Sequence, residues 1–174
     1  MSAPAEIAID ANLHYEISQF LFAEAALIDA HDFSAWLELT TEDITYRIPV
    51  RITKEKRDGP NVDALGSFVL EDAESLGTRI ARLGTRSAWS DDPQSRTRHF
   101  ISNVAISPAD RPDELAVRSN LLFIRSRGEQ IGNDVITAQR QDLIRRVGDQ
   151  WKLARREVVI DQTILGTHNL NTIY

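Results

Sequence analysis

The residues best suited to moving a proton near neutral pH in this chain are its four histidines, His14, His31, His99 and His168. No two stand at the i, i+4 spacing of a helical metal site, and none belongs to a His-x-carboxylate arrangement suited to a facial triad, so no metal-ligand set is expected. His99 is the strongest candidate. It opens an apolar stretch beside Arg98, and Asp29, His31, Asp32, Asp43 and Tyr46 come from segments expected to line the same interior. A His paired with a carboxylate next to a Tyr is what proton abstraction or dehydration needs. That gives one catalytic reading, His99 with Asp32 or Asp43 and Tyr46. The competing reading is structural: His99 is satisfied by hydrogen bonds at a strand start or subunit contact, and Asp32 caps a helix. The structural reading is favoured. No serine adjoins a His or acid in a nucleophile-elbow pattern, and no glycine-rich phosphate loop is present.

His99 lies in the stretch that organises the chain, from Arg79 to Val104. This stretch closes a helix, spans a loop and opens a strand, with Arg79, Arg82, Arg86, Arg96 and Arg98 in or beside it. Trp89 and Phe100 sit among these charges. Trp and Arg are enriched at energetically dominant contacts, so Arg79, Arg82, Trp89, Arg96, Arg98 and His99 are candidate interface residues. Trp36 and Trp151 read as core or interface anchors.

The elements that must position these residues follow from hydrophobic period. Residues 1–9 read as a flexible arm and residues 10–174 as a single domain. From an N-cap at Asp10 or Asn12 a helix runs to about Ala30, with Leu13, Ile17, Phe20, Leu21, Leu27 and Ile28 on one stripe. Glu24 is the exception, a carboxylate lying near that stripe. After the His31-Asp32 corner a short helix buries Phe33, Trp36 and Leu37. Ile44, Tyr46, Ile48, Val50 and Ile52 then alternate with polar residues as a half-buried strand, in which Pro49 marks an edge or a bulge. Residues 54–66 read as a surface loop and Gly66–Leu70 as a short strand. The next helix carries Glu71, Asp72 and Glu74 near its start, turns Leu76, Ile80 and Leu83 inward and stops at Gly84.

Long strands follow at 100–106, 114–127, 133–147 and 150–165, the last two joined by the two-residue turn Gly148-Asp149. The third of them is polar on both faces, with Thr137, Gln139 and Gln141 against Arg140, Asp142 and Arg146. The tail from His168 ends on apolar residues and is expected to dock. Helices first, then a meander of antiparallel strands, make an α+β fold. A strongly bent sheet wrapped over the N-terminal helices forms a cone.

Composition narrows the function classes. The 174 residues carry a net charge of −6, which argues against a nucleic-acid binder. There is no Cys, so the chain by itself holds neither disulfides, nor a thiolate nucleophile, nor an iron–sulfur cluster. No apolar run approaches the roughly 20 residues of a membrane helix, and no signal-peptide pattern opens the chain, so a cytoplasmic location is expected.

The run Arg79-Ile-Ala-Arg-Leu83 through Ala88-Trp89-Ser-Asp-Asp-Pro-Gln-Ser-Arg-Thr-Arg-His99-Phe-Ile-Ser-Asn-Val104 closely resembles the small (beta) subunits of bacterial aromatic-ring-hydroxylating dioxygenases. So do Asp29-Ala-His-Asp-Phe-Ser-Ala-Trp36-Leu37, Ser119-Asn-Leu-Leu-Phe-Ile-Arg-Ser-Arg-Gly128 and Ile164-Leu-Gly-Thr-His168-Asn-Leu170. In order, these segments span most of residues 12–174. The resemblance implies a cystatin-like cone of the nuclear-transport-factor-2-like type. It also implies a homotrimer of beta subunits assembled with a large alpha subunit as an α3β3 hexamer. The alpha chain would carry the Rieske [2Fe-2S] cluster and the mononuclear Fe(II) that turn an arene into a cis-dihydrodiol during aromatic catabolism. On that footing this chain holds no cofactor, no metal and no catalytic residue, and contacts neither nucleic acid nor membrane. The alternative within the same fold is a stand-alone dehydratase or isomerase using His99.

Overall fold

The computed structural model describes residues 7–55, 57, 59, 61–83, 94–129, 131–166 and 172–174. The elements run in the order α1 (Ala11–Asp29), α2 (Phe33–Glu38), β1 (Thr40–Arg51), β2 (Val62–Glu71), α3 (Ala73–Leu83), β3 (Arg96–Pro108), β4 (Glu114–Ser126), β5 (Asn133–Val147) and β6 (Gln150–Ile160). The six strands form one curved, unclosed sheet in the order β2-β1-β6-β5-β4-β3. Only the β1–β6 pair is parallel; the other neighbours are antiparallel.

Each helix starts where a side chain can take up the orphan amides of its first turn. Asp10 accepts from the Leu13 amide at 2.8 Å, Asp32 from Ala35 at 3.1 Å and Asp72 from Ser75 at 2.9 Å. The corner between α1 and α2 is a Schellman turn: Asp32 N–H donates to the Leu27 carbonyl and His31 N–H to the Ile28 carbonyl. His31 takes the left-handed conformation there, with φ of 58°. That turn aims α2 back under α1 and brings Trp36 inside.

The inner face of the sheet carries the core. Leu13, Ile17, Leu21 and Ile28 of α1 meet Leu115, Val117, Leu121 and Phe123 of β4, Ile136 and Ile144 of β5, and Leu153, Val158 and Ile160 of β6. Each such side chain contributes about 2 kcal/mol by leaving water. Bulges bend the sheet around this layer. One falls at Pro49, which is buried and inside the sheet, so its missing N–H is accommodated by the register shift. Another falls between Ser102 and Ala105, where Asn103 has φ of 54°. The outer face is solvent-exposed, with Phe100, Leu122 and Val135 standing on it.

Three boundaries differ from the sequence expectation. Strand β2 starts at Val62, within the stretch read as loop, and strand β3 starts at Arg96 rather than at residue 100. In both cases the outward positions are atypical: Leu65 and Leu70 are exposed apolar residues, and Arg96 and Arg98 are charges on the outer face. Strand β6 ends at Ile160, short of residue 165. Gly84, Arg86, Trp89 and His168 lie outside the described residues, as do residues 1–6 of the arm; Ile7 packs against the core.

Candidate functional site

The cone interior holds four charged side chains in mutual contact. Glu24 of α1, Arg140 and Asp142 of β5 and Arg156 of β6 are each 3% exposed or less. Arg156 is the hub. Its Nε and one terminal nitrogen donate to the two Asp142 oxygens at 2.9 and 2.8 Å. It also grips both Glu24 oxygens, one of them at 2.9 Å, and reaches the backbone oxygen of Tyr174 at 3.3 Å. Trp36 Nε1–H donates to Glu24 at 2.9 Å. Arg140 donates through Nε to Ser119 Oγ at 3.3 Å. Its terminal nitrogens lie 3.5 Å from Glu24 and 3.8 Å from Asp142 without making hydrogen bonds, so its attraction to them is Coulombic.

Two cations and two anions cancel, which is the condition for keeping them out of water. Burial alone would push the Glu24 carboxyl up, but Arg156, Arg140 and the Trp36 N–H outweigh it and hold it at about 2. Arg140 is pushed down by burial and by Arg156 beside it. The oxygens of Glu24 and Asp142 are thus occupied by the Arg156 guanidinium.

His99 sits at the other end of the same interior, its side chain fully buried. Both ring nitrogens are engaged, Nδ1 with the Asp29 carboxylate at 2.6 Å and Nε2 with the Ile173 carbonyl at 2.9 Å. The His99 amide donates to the second Asp29 oxygen at 3.1 Å, and Thr97 Oγ1 adds a bond at 3.0 Å. Burial raises the Asp29 carboxyl, but the His99 ring and amide more than offset this and hold it below its usual value. The His99 ring packs on Phe123 at 4.9 Å, and Phe123 meets Tyr174 edge-on at 5.0 Å.

The residues of the catalytic reading are not brought together as a set. The carboxylate on His99 is Asp29, on the last turn of α1, rather than Asp32 or Asp43. Asp32 points away to cap α2. Asp43 lies at the surface, held at about 2 chiefly by hydrogen bonds from Arg145 at 2.8 and 2.9 Å. Tyr46 is buried, and its hydroxyl bridges the backbone of Tyr174, accepting from N–H at 2.9 Å and donating to the oxygen at 3.3 Å. Burial pushes the Tyr46 phenol up. Asp32→Ala is expected to cost only about 1 kcal/mol, the value of a lost N-cap, with activity per folded molecule unchanged. A melting curve compared with specific activity checks this; loss of turnover without loss of stability would restore Asp32 to a chemical role.

The interface candidates scatter. Arg79 is half-buried on α3 and lies 3.4 Å from Glu71. Arg82 is exposed on the last turn of α3. Arg96 and Arg98 are exposed on the outer face of β3, the first reaching the Gly128 carbonyl at 3.4 Å and the second the Thr97 carbonyl at 2.9 Å. His99, one residue on, points inward. Trp89 is outside the described residues.

The sequence signals for the charged interior were Glu24 on an apolar stripe and the polar inner face of β5. The partner of both, Arg156, shares its side of the strand with Val158 and Ile160 and so was due to point inward. The chain has no Cys, and no group of three or more His, Asp or Glu gathers among the described residues. His14 and His31 direct Nε2 at the carbonyls of Val104 and Ser95, at 3.1 and 3.0 Å.

The sequence profile of a family described as ring hydroxylating beta subunit matches residues 23–167. The beta subunit of 3-phenylpropionate/cinnamic acid dioxygenase from Photorhabdus laumondii is 39% identical over 171 residues, 95% of this chain and 94% of that protein. Among solved structures, naphthalene 1,2-dioxygenase with indole in its active site superposes with a TM-score of 0.83 at 27% identity, over 95% of this chain and 87% of that one. The beta subunit of benzoate 1,2-dioxygenase from Burkholderia mallei gives 0.72 at 24% identity, over 96% and 99%. A protein designated a scytalone dehydratase, from Novosphingobium aromaticivorans, gives 0.63 at 19%, over 87% and 85%. The last two likenesses speak to the α+β, nuclear-transport-factor-2-like fold alone.

Proposed function

Because the chain belongs to the beta-subunit family of ring-hydroxylating dioxygenases, we propose that it is the non-catalytic scaffold of a terminal oxygenase, trimerising and joining a large alpha subunit as an α3β3 hexamer in the cytoplasm. The Rieske [2Fe-2S] cluster and the mononuclear Fe(II) belong to the alpha subunit, where arene cis-dihydroxylation takes place. The observation that supports the scaffold role is the commitment of His99, Glu24 and Asp142 to other protein groups. His99 spends both nitrogens on Asp29 and Ile173, and Glu24 and Asp142 are locked to arginines. A general base needs a lone pair directed at substrate, and a nearby partner that can yield a proton. The interior supports rigidity instead, tying α1, α2, β5, β6 and the segment 172–174 into one body. The stand-alone dehydratase or isomerase reading, with His99, Asp32 or Asp43 and Tyr46, is not favoured on the same geometry.

Co-expression with the large-subunit reading frame tests the proposal. The two chains are expected to co-purify as one complex, with all iron and the [2Fe-2S] absorption assigned to the large subunit and arene oxidation dependent on it. Turnover of a small aromatic substrate by the isolated chain, free of iron, would contradict the scaffold role.

A further inference from the structure

The outer face of the sheet is basic although the chain as a whole is acidic, with a net charge of −6. Arg96 and Arg98 stand exposed at one end of it, and Arg118 and Arg155 at the other. None of these four guanidiniums has a carboxylate partner among the described residues. Acids on this face are already engaged, Glu157 by Arg47 at 3.0 Å, and Asp43 and Glu114 by Arg145 at 2.8 and 2.6 Å. Arg118 and Arg155 flank an open groove of about 490 Å³ together with Gln139, Gln141 and Ser107. Asp142 borders the groove, but its carboxylate is turned inward and held by Arg156.

Between the two basic ends lie Phe100 and Leu122, paired across the strands, while Ile124 and Val135 continue the row of Arg98; Phe100 and Val135 are about half exposed, Leu122 somewhat less. Ser102, Asn120 and Gln139 fill the next row. From Arg98 to Ser107 the face is about 30 Å long at ~3.3 Å per residue, room for an extended segment of roughly nine residues.

We propose that this outer face, from Arg96 and Arg98 across Phe100 and Leu122 to Arg118 and Arg155, docks an acidic segment of the large subunit, one carrying an apolar side chain between its carboxylates. The inference rests on the assembly proposed above and names the surface that serves it. Charge selects the occupant. Four cations with no carboxylate partner among the described residues would face one another if two copies of this face met across a two-fold contact, so two-fold self-pairing here is penalised. A carboxylate-bearing segment relieves that charge, Gln139 and Gln141 supply amides for its backbone, and the apolar row supplies area.

The test uses the co-expressed complex with Arg118→Glu/Arg155→Glu, and separately Arg96→Glu/Arg98→Glu. The substituted side chains are exposed, so the melting temperature of the small subunit is expected to stay unchanged. Recovery of the large subunit in native mass spectrometry should fall at least about tenfold with either pair, and wild-type assembly should weaken as salt rises. Arg118→Lys/Arg155→Lys should retain assembly. Full recovery of the large subunit with both charge-reversed pairs would overturn the inference. So would loss of contacts between small subunits with the large subunit still bound. If the wild-type chain fails to capture a large subunit, the assembly proposal fails instead.

Discussion

Arg156→Met is expected to lower the unfolding free energy by about 3–5 kcal/mol, the cost of stranding two buried carboxylates whose shared cation has gone. The size follows from what Arg156 holds. Glu24 and Asp142 both bind its guanidinium, and Arg140 makes no hydrogen bond to either carboxylate to replace it. Urea unfolding measures the effect, which should move the midpoint and leave the slope near its wild-type value. Raising salt should not mimic it, because the group is sealed from solvent. The sign of the pH dependence follows from Glu24. Its folded value, about 2, lies below the 4.5 of the free side chain. Its contribution is therefore complete above about pH 4.5 and is lost as the pH falls from there toward 2. Glu24→Gln should flatten that part of the acid limb while lowering stability at neutral pH. Replacing all four charges at once with apolar residues of similar volume should cost less than Arg156→Met alone, since no unpaired charge is left behind. A small effect of Arg156→Met at neutral pH would mean that the carboxylates find other partners.

Much of this interior was legible in the sequence as a conflict, and its resolution was not. Glu24 on an apolar stripe and Arg140 and Asp142 on the inner side of a strand both announce buried charge. Which charges meet depends on the register of β5 against β6, where Asp142 stands opposite Arg156, and on the placing of α1 across them. Those are consequences of curvature, set partly by bulges that no hydrophobic period encodes. The first helix, its cap and the Gly148 turn were legible because each is decided within a few residues. The partner of His99 was not. Asp29 is seventy positions away, and what separates it from Asp32 is a single Schellman turn that rotates the two carboxylates to opposite sides of the corner. The strand starts at Val62 and Arg96 were hidden for a different reason. An alternating pattern identifies a strand by contrast between its faces, and these two have apolar or charged residues on the outside where ordinary polar ones would be expected.

His99→Ala is expected to destabilise the chain by about 3 kcal/mol and to lower the yield of assembled oxygenase, while turnover per iron in the complexes that do form stays unchanged. Three effects add. The ring's bonds to Asp29 and to the Ile173 carbonyl are lost, a partly buried carboxylate loses a close partner, and a void opens beside Phe123 and Tyr174. The Ile173 bond is the one that matters for architecture. It fixes residues 172–174, whose Tyr174 backbone also joins Tyr46 and Arg156, so release at His99 loosens the far end of the charged cluster. Asp29→Ala should produce a similar loss, and the double variant should cost clearly less than the sum, by about 2 kcal/mol, because the two act on one interaction. Asp29 also sets a pH signature. Its folded value is depressed, so its contribution is present above the ordinary aspartate range and declines as the pH falls through it. A catalytic His99 makes the opposite prediction: fully assembled complex, normal melting, and turnover lost in proportion to the substitution. Iron content, assembled mass and turnover measured on the same preparation separate the two, because a tether and a base differ in what survives when the complex is intact.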